Sequence, residues 1–273
     1  MLDLGDRPLG RFPVGNRLWL IGGTSESIAL ARAIASLGLP CTISVTTAAA
    51  EALYPKHPRL RVQVGRLDVG KLDQFFRKEQ IAAILDASHP YAVEISRMTT
   101  RAAAQWQIPY LRFERPTVDA RSDNSQVIWL DSFETLLVGD YLLGQRVLLT
   151  VGYKTLPLFH SWQDRSTLFA RILPAVTSLE AAIAAGFTSD RIIALRPPVS
   201  AELEKVLWRH WDISLVVTKA SGAAGGEEIK RSVAAELGMP LVIIARPPVD
   251  YPQQTSDFCV ALEFCRSYVE SSW

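Results

Sequence analysis

Residues able to do chemistry fall in a few short runs. In WLIGGTSES (19–27), Gly22 and Gly23 let the backbone turn sharply, and Thr24 and Ser25 can cap a helix beginning near Glu26. A capped helix start offers N–H groups to an anion, the usual way a nucleotide pyrophosphate is held; the run is only part of a G-x-G-x-x-G fingerprint, and an ordinary strand–helix turn is the alternative. DASHPY (86–91) closes an apolar run with Asp86, Ser88, His89 and Tyr91 around a proline suited to a helix start. A polar group at that strand end is expected to face a ligand. Asp86 can orient His89 or cap the helix, and His89 can meet a cofactor, a carboxylate or water, or simply fix the loop. RFERP (112–116) supplies Arg112 and Arg115, guanidiniums for carboxylate or phosphate, or for ion pairs.

The second half repeats the pattern. LLTVGYKTL (148–156) carries Lys154 after a glycine, LRPPVS (195–200) carries Arg196, and VTKASGAAGGEEIK (217–230) carries Lys219, Ser221 and Gly222 in an open backbone. Such a loop favours an anionic ligand or is a flexible surface turn. The G-K-[ST] ending of a phosphate-binding P-loop is missing, so ATP hydrolysis is not expected. VTTAAA (45–50) has no acidic residue before Glu51, where many NAD sites place one on the ribose. Thr46 and Thr47 suit a ribose phosphate, with Arg66 of VGRLD (64–68) within reach, or else are β-formers and caps. This favours NADPH, with NADH possible.

Elements that must position these residues alternate along the chain. Strands are expected at 18–21, 41–46, 61–64, 82–86 and 109–113, with helices at 26–37, 69–78 and 91–105 and a short turn at 49–54. A second cycle places helix 131–143, strands 146–151, 168–172, 191–195, 213–217 and 240–244, helices 178–185, 200–210 and 225–237, and a terminal helix 255–270 packing back on the body. The fold class is α/β, with two Rossmann-like domains, largely parallel sheets and an inter-domain active-site cleft. Residues 1–17 read as an extension, 18–125 as the cofactor-binding domain and 126–273 as the domain completing the site.

Composition narrows the function. The 273-residue chain has a formal net charge of +1 and no basic stripe, so no nucleic-acid partner is expected. No apolar run spans a bilayer and the first residues lack a secretory segment, so a soluble cytoplasmic protein is expected. Cys41, Cys259 and Cys265 do not cluster with the four histidines, so neither a disulfide framework nor a metal site is expected.

Taken in order, GGTSES, VTT, VGRLD, DASHPY, PYLRFERP, LLTVGYKTL, ARILP, LRPPVS and TKASGAAGGEEIK resemble the motifs of the precorrin-6A reductase family, cobalt-precorrin-6A reductases included, over residues 18 to 247. The resemblance implies a two-domain reductase of cobalamin biosynthesis that reduces the C18–C19 bond of a corrin precursor, with hydride from a reduced nicotinamide arriving at C19. It also implies that Gly22, Gly23 and Thr24 hold cofactor phosphate and that Asp86–Tyr91 lie beside the nicotinamide. Lys154, Arg196, Lys219 and Ser221 would face the nicotinamide cleft from the second domain. His89 and Tyr91 are candidate proton donors, with solvent a rival. Two departures stand out: LRPPVS replaces the more usual Gly-Pro-Phe after the arginine, and alanine follows Lys219 where asparagine is common.

Two other readings compete. One is a nicotinamide-dependent reductase of another small molecule, though the Tyr-x-x-x-Lys pair of short-chain reductases is absent. The other is a non-catalytic dinucleotide-binding regulatory protein. Monomer and homodimer both remain open.

Overall fold

The computed structural model describes residues 16–116 and 126–269. Most of the expected extension (1–15) and the polar stretch carrying the expected domain boundary (117–125) lie outside the described residues, as does residue 270. The chain divides into two compact units, 1–115 with 248–273, and 116–247.

In the first unit the elements are β1 (Arg17–Ile21), α1 (Ser25–Ser36), β2 (Cys41–Val45), α2 (Ala48–Glu51), β3 (Leu60–Val64), α3 (Val69–Glu79), β4 (Ile81–Asp86), α4 (Val93–Trp106) and β5 (Tyr110–Phe113). The second unit contributes β6 (Val127–Leu130), α5 (Phe133–Val138), β7 (Arg146–Thr150), a 3-10 run (Tyr153–Trp162), β8 (Thr167–Ile172), α6 (Val176–Ala184), β9 (Ile192–Ala194), α7 (Ala201–His210), β10 (Leu215–Lys219), α8 (Glu227–Leu237) and β11 (Leu241–Ile244). The chain then returns to the first unit as β12 (Gln254–Thr255) and α9 (Phe258–Tyr268).

Among the described residues, each unit holds one six-stranded sheet whose neighbouring strands pair in parallel. The first runs β3-β2-β1-β4-β5-β12 and the second β9-β8-β7-β10-β11-β6. Both follow the doubly wound 3-2-1-4-5-6 order. In the first, the sixth place goes to a strand from the far end of the chain; in the second, to the strand that opens the unit.

Burial on both faces explains the apolar strands. In β1, Leu18 and Leu20 pack with Leu30 and Ile34 of α1 and Cys265 of α9, while Trp19 and Ile21 pack with Phe75, Phe76 and Trp106 on the opposite face. In β7, Val147 and Leu149 face one core and Leu148 the other.

Several expectations are corrected. The sequence division gave all of 126–273 to the second domain, but β12 pairs with β5 and α9 packs on the first sheet. Two-residue β12 is too short to leave a pattern, and it displaces the start of the terminal helix from 255 to Phe258. The VIWL run forms β6 ahead of the expected helix 131–143, which closes at Val138 because Gly139 is extended. Residues 153–162, where a loop is expected after β7, wind as a 3-10 run containing Pro157.

Candidate functional site

In a doubly wound sheet, ligands gather at the carboxyl ends of the two strands where the order reverses. Here those are β1 and β4, in register from Leu18↔Ala83 to Ile21↔Asp86. The expected glycine turn and the DASHPY loop therefore emerge side by side. Thr24 Oγ1 donates to the Ala87 carbonyl at 2.8 Å and stitches them together.

The glycine turn is tightly specified. Gly23 has φ of 108°, a left-handed conformation that an L side chain resists. Thr24 is the N-cap of α1: its hydroxyl accepts from the Ser27 N–H at 3.1 Å, and Ser27 Oγ accepts from the Thr24 N–H at 3.0 Å. The Thr24 hydroxyl thus caps the helix, as expected, and is also held by Ala87. Ser25 Oγ donates to Glu26, which pairs with Arg115 at 2.8 Å. Beneath the turn stands Tyr54, which sequence reasoning missed: it lies some thirty residues downstream, in a stretch without a motif, and its hydroxyl accepts the Gly23 N–H at 2.8 Å.

Asp86 is fully buried, which corrects the expectation that it faces a ligand. Its Oδ1 accepts the Ser88 N–H at 2.9 Å and pairs with Arg112 Nη1 at 2.9 Å. Its Oδ2 accepts the hydroxyls of Ser96 at 2.7 Å and Tyr110 at 2.6 Å. Burial, reinforced by the Asp86 charge, pushes the Tyr110 hydroxyl far up, so it remains a donor. Arg112 also reaches Ser88 Oγ at 3.0 Å, donates to Glu114 at 3.1 Å, and lies 5.3 Å from the ring centroid of Tyr251. A fully desolvated charge needs such partners. Arg112 is therefore held by buried partners at the wall of a recess. Tyr110, Ser96 and Tyr251 complete a polar platform that no motif announced.

The loop on that platform projects outward. His89 is exposed, and its Nδ1 accepts the Tyr91 N–H at 3.2 Å, so the neutral ring carries its proton on Nε2. Thr24, Glu26, Ser88, Pro90, Glu114 and Arg115 line a shallow recess beside it. At the end of β2, Thr46 is exposed, whereas Thr47 caps α2 by accepting the Ala50 N–H at 3.2 Å. Arg66 forms a solvent-exposed pair with Glu94.

The second unit has its own reversal point, between β7 and β10, in register through Thr218↔Thr150. Gly152, at φ of 79°, and exposed Lys154 follow β7; Lys219 ends β10, with Nζ 5.5 Å from the centroid of the Phe133 ring. Burial, helped by the nearby Lys154 charge, lowers the Lys219 pKa to about 8. Ser221 and Gly222 are buried in the following loop. Glu227 accepts the Gly222 N–H at 2.8 Å, and buried Lys230 donates to the carbonyls of Gly225 at 2.8 Å and Gly226 at 3.1 Å. The structure brings Lys154 and Lys219 together. Arg196 is not with them: it follows edge strand β9, two places from the reversal point.

Among the described residues no cluster of three or more His, Cys, Asp or Glu side chains is placed to hold a metal ion, and no helix is long and apolar enough to cross a membrane.

The family model for Precorrin-6x reductase CbiJ/CobK matches residues 17–266. The chain belongs to the precorrin-6A/cobalt-precorrin-6A reductase family. It is 48% identical over 254 residues to the cobalt-precorrin-6A reductase of Synechocystis sp., covering 93% of this chain and 97% of that one. To the cobalt-precorrin-6A reductase of Priestia megaterium it is 32% identical, over 88% of this chain and 94% of that one. A solved structure described as CobK precorrin-6A reductase superposes with a TM-score of 0.75 at 22% identity, over 94% of this chain and all of that one, and supports the fold. Membership makes the chain an NAD(P)H-dependent oxidoreductase of corrin ring biosynthesis, reducing precorrin-6A or cobalt-precorrin-6A.

Proposed function

We propose that the chain uses NADPH in preference to NADH to reduce the C18–C19 double bond of precorrin-6A or cobalt-precorrin-6A, with the cofactor bound at the β1–β4 reversal point. The observation that carries this reading is the pairing of a capped glycine turn with a β2 end that has no carboxylate. The residues present fit a dinucleotide: the start of α1 offers N–H groups to a pyrophosphate, and Thr46 and Thr47 offer hydroxyls where an acidic residue would repel a ribose phosphate. When bound, the nicotinamide supplies the hydride.

The chain's own groups orient and protonate. Asp86 and Arg112 fix the loop from Ala87 to Tyr91 from below, while Gly22, Gly23 and Ser25 shape the turn opposite. His89, with its proton on Nε2, and Tyr91 are the candidate groups for holding or delivering the proton that accompanies the hydride. Arg115, steered by Glu26, is a cation beside the cofactor turn. In the second unit, Lys154 and Lys219 take carboxylates of the macrocycle, with Ser221 and Gly222 shaping the adjoining loop and Arg196 a more distant contact.

The test is an anaerobic reaction of the purified protein with precorrin-6A or cobalt-precorrin-6A and either NADPH or NADH, following nicotinamide absorbance alongside product mass. Cofactor oxidation matched by a product two hydrogens heavier, faster with NADPH, is the expected result. Intact macrocycle beside saturable cofactor binding would instead make the chain a binding protein or a reductase of another molecule.

A further inference from the structure

Tyr54 belongs to no cofactor motif, yet its hydroxyl fills the space beneath the glycine turn. It accepts the Gly23 N–H at 2.8 Å and stands 2.6 Å from Ser27 Oγ. The direction of the second bond follows from Ser27. The serine's own proton goes to the Thr24 carbonyl at 2.7 Å, and its oxygen accepts the Thr24 N–H at 3.0 Å. The proton between the two hydroxyls therefore comes from the tyrosine. The hydrogen bonds form a one-way relay: Gly23 N–H to Tyr54 O–H, to Ser27 O–H, to the Thr24 carbonyl.

This relay changes the meaning of the two glycines. A Cβ on Gly22 would lie 2.3 Å from the Tyr54 oxygen, so Gly22 makes room for the hydroxyl rather than for a ligand. The Gly23 and Thr24 N–H groups are consumed inside the turn, and the Ser27 N–H is held by Thr24 Oγ1. The N–H groups that the relay leaves to an anion are those of Ser25 and Glu26.

We propose that Tyr54 is a positioning residue for the cofactor, holding the Gly22–Thr24 turn so that the Ser25 and Glu26 N–H groups aim at the pyrophosphate without itself touching the cofactor. This rests on the cofactor reading given under Proposed function. Tyr54→Phe keeps the ring and removes only the relay's middle member.

The test measures NADPH affinity, steady-state kinetics and amide exchange in Tyr54→Phe, Gly22→Ala and the double variant of the full chain. For Tyr54→Phe, the Kd and KM for NADPH are expected to rise about ten-fold, the scale of one lost hydrogen bond. Its kcat at saturating NADPH should hold, and the Gly23 and Thr24 amides should exchange faster without ligand. Gly22→Ala should weaken binding through its clash, and adding Tyr54→Phe should recover part of that loss, since the clashing oxygen is gone. An unchanged NADPH affinity in Tyr54→Phe, or a double variant no better than Gly22→Ala alone, overturns the proposal. Wild-type protein that binds neither NADPH nor NADH overturns the cofactor reading itself, even if the amide exchange supports the relay.

Discussion

Asp86 Oδ1 and Arg112 Nη1 lie 2.9 Å apart with both side chains at most 1% exposed. Every remaining lone pair of the carboxylate is also engaged, by Ser88, Ser96 and Tyr110. Removing one partner strands the other as a buried charge. Asp86→Ala should cost about 3–5 kcal/mol of stability in urea unfolding. Exchanging both residues for apolar ones of similar size should cost much less. A single-variant loss below about 1 kcal/mol, within the ordinary range of substitutions, would remove the platform role.

Lys219 is predicted to set an alkaline limit on substrate binding. Its pKa is lowered to about 8, so the ammonium proposed to hold a carboxylate is present below that pH and lost above it. kcat/KM for the corrin precursor is expected to fall above about pH 8. Lys154→Ala removes the repelling neighbour and should move the limb to higher pH while weakening binding. A limb that stays in place in Lys219→Arg, whose guanidinium does not titrate in this range, assigns it to another group. Stability has the opposite sign: between the folded value and the ordinary 10.5 the unfolded chain binds more protons at this site, so Lys219's contribution to stability rises with pH across that window.

Cofactor choice is predicted to turn on the end of β2. Thr46→Asp places a carboxylate where the ribose phosphate would sit, and should lower kcat/KM for NADPH relative to NADH at least about ten-fold, equivalent to roughly 1.4 kcal/mol. Arg66→Ala should raise the NADPH KM and leave that for NADH little altered. The Arg66–Glu94 pair is exposed and contributes little to stability, so melting temperature should hold in Arg66→Ala. Equal effects on both cofactors would place the ribose elsewhere.

Gly225 faces Ser221 so closely that a Cβ would come within 1.8 Å of the serine oxygen. Gly225→Ala should destabilise the protein by about 1–3 kcal/mol, the scale of overpacking. Combining it with Ser221→Gly should restore most of the loss in thermal unfolding. If the double variant is no more stable than Gly225→Ala, the clash is not the reason for the glycine.

Most of the fold was legible because parallel strands buried on both faces read as apolar runs: expected strand 82–86 and observed Ile81–Asp86 differ by one residue. Helix starts were legible where the cap was local, as at Thr24. What escaped depended on contacts distant in sequence. Two residues of β12 gain their identity only from Arg112 and Phe113, to which they pair. Tyr54 matters through Gly23 and Ser27, and nothing in its neighbours marks it. Asp86 was identified as important, but its orientation was not: whether a strand-end carboxylate points to a ligand or to a buried arginine depends on what lies on β5. Lys154 and Lys219 are far apart in sequence; their proximity follows from the β7–β10 pairing, which the alternation alone does not specify.

The order in which the chain leaves a ribosome is at odds with the order of its sheets. The second unit has all six strands once Ile244 has emerged. The first must wait for Thr255 and for the helix that brings Ala261, Cys265 and Val269 into its core, although its first strand was made more than two hundred residues earlier. An amino-terminal fragment ending at Arg115 is therefore a sheet with an open edge and an uncovered apolar face, a species prone to association. During synthesis the later unit is the first that can complete its fold, and the glycine turn that opens the chain's chemistry is among the last parts to gain its full support.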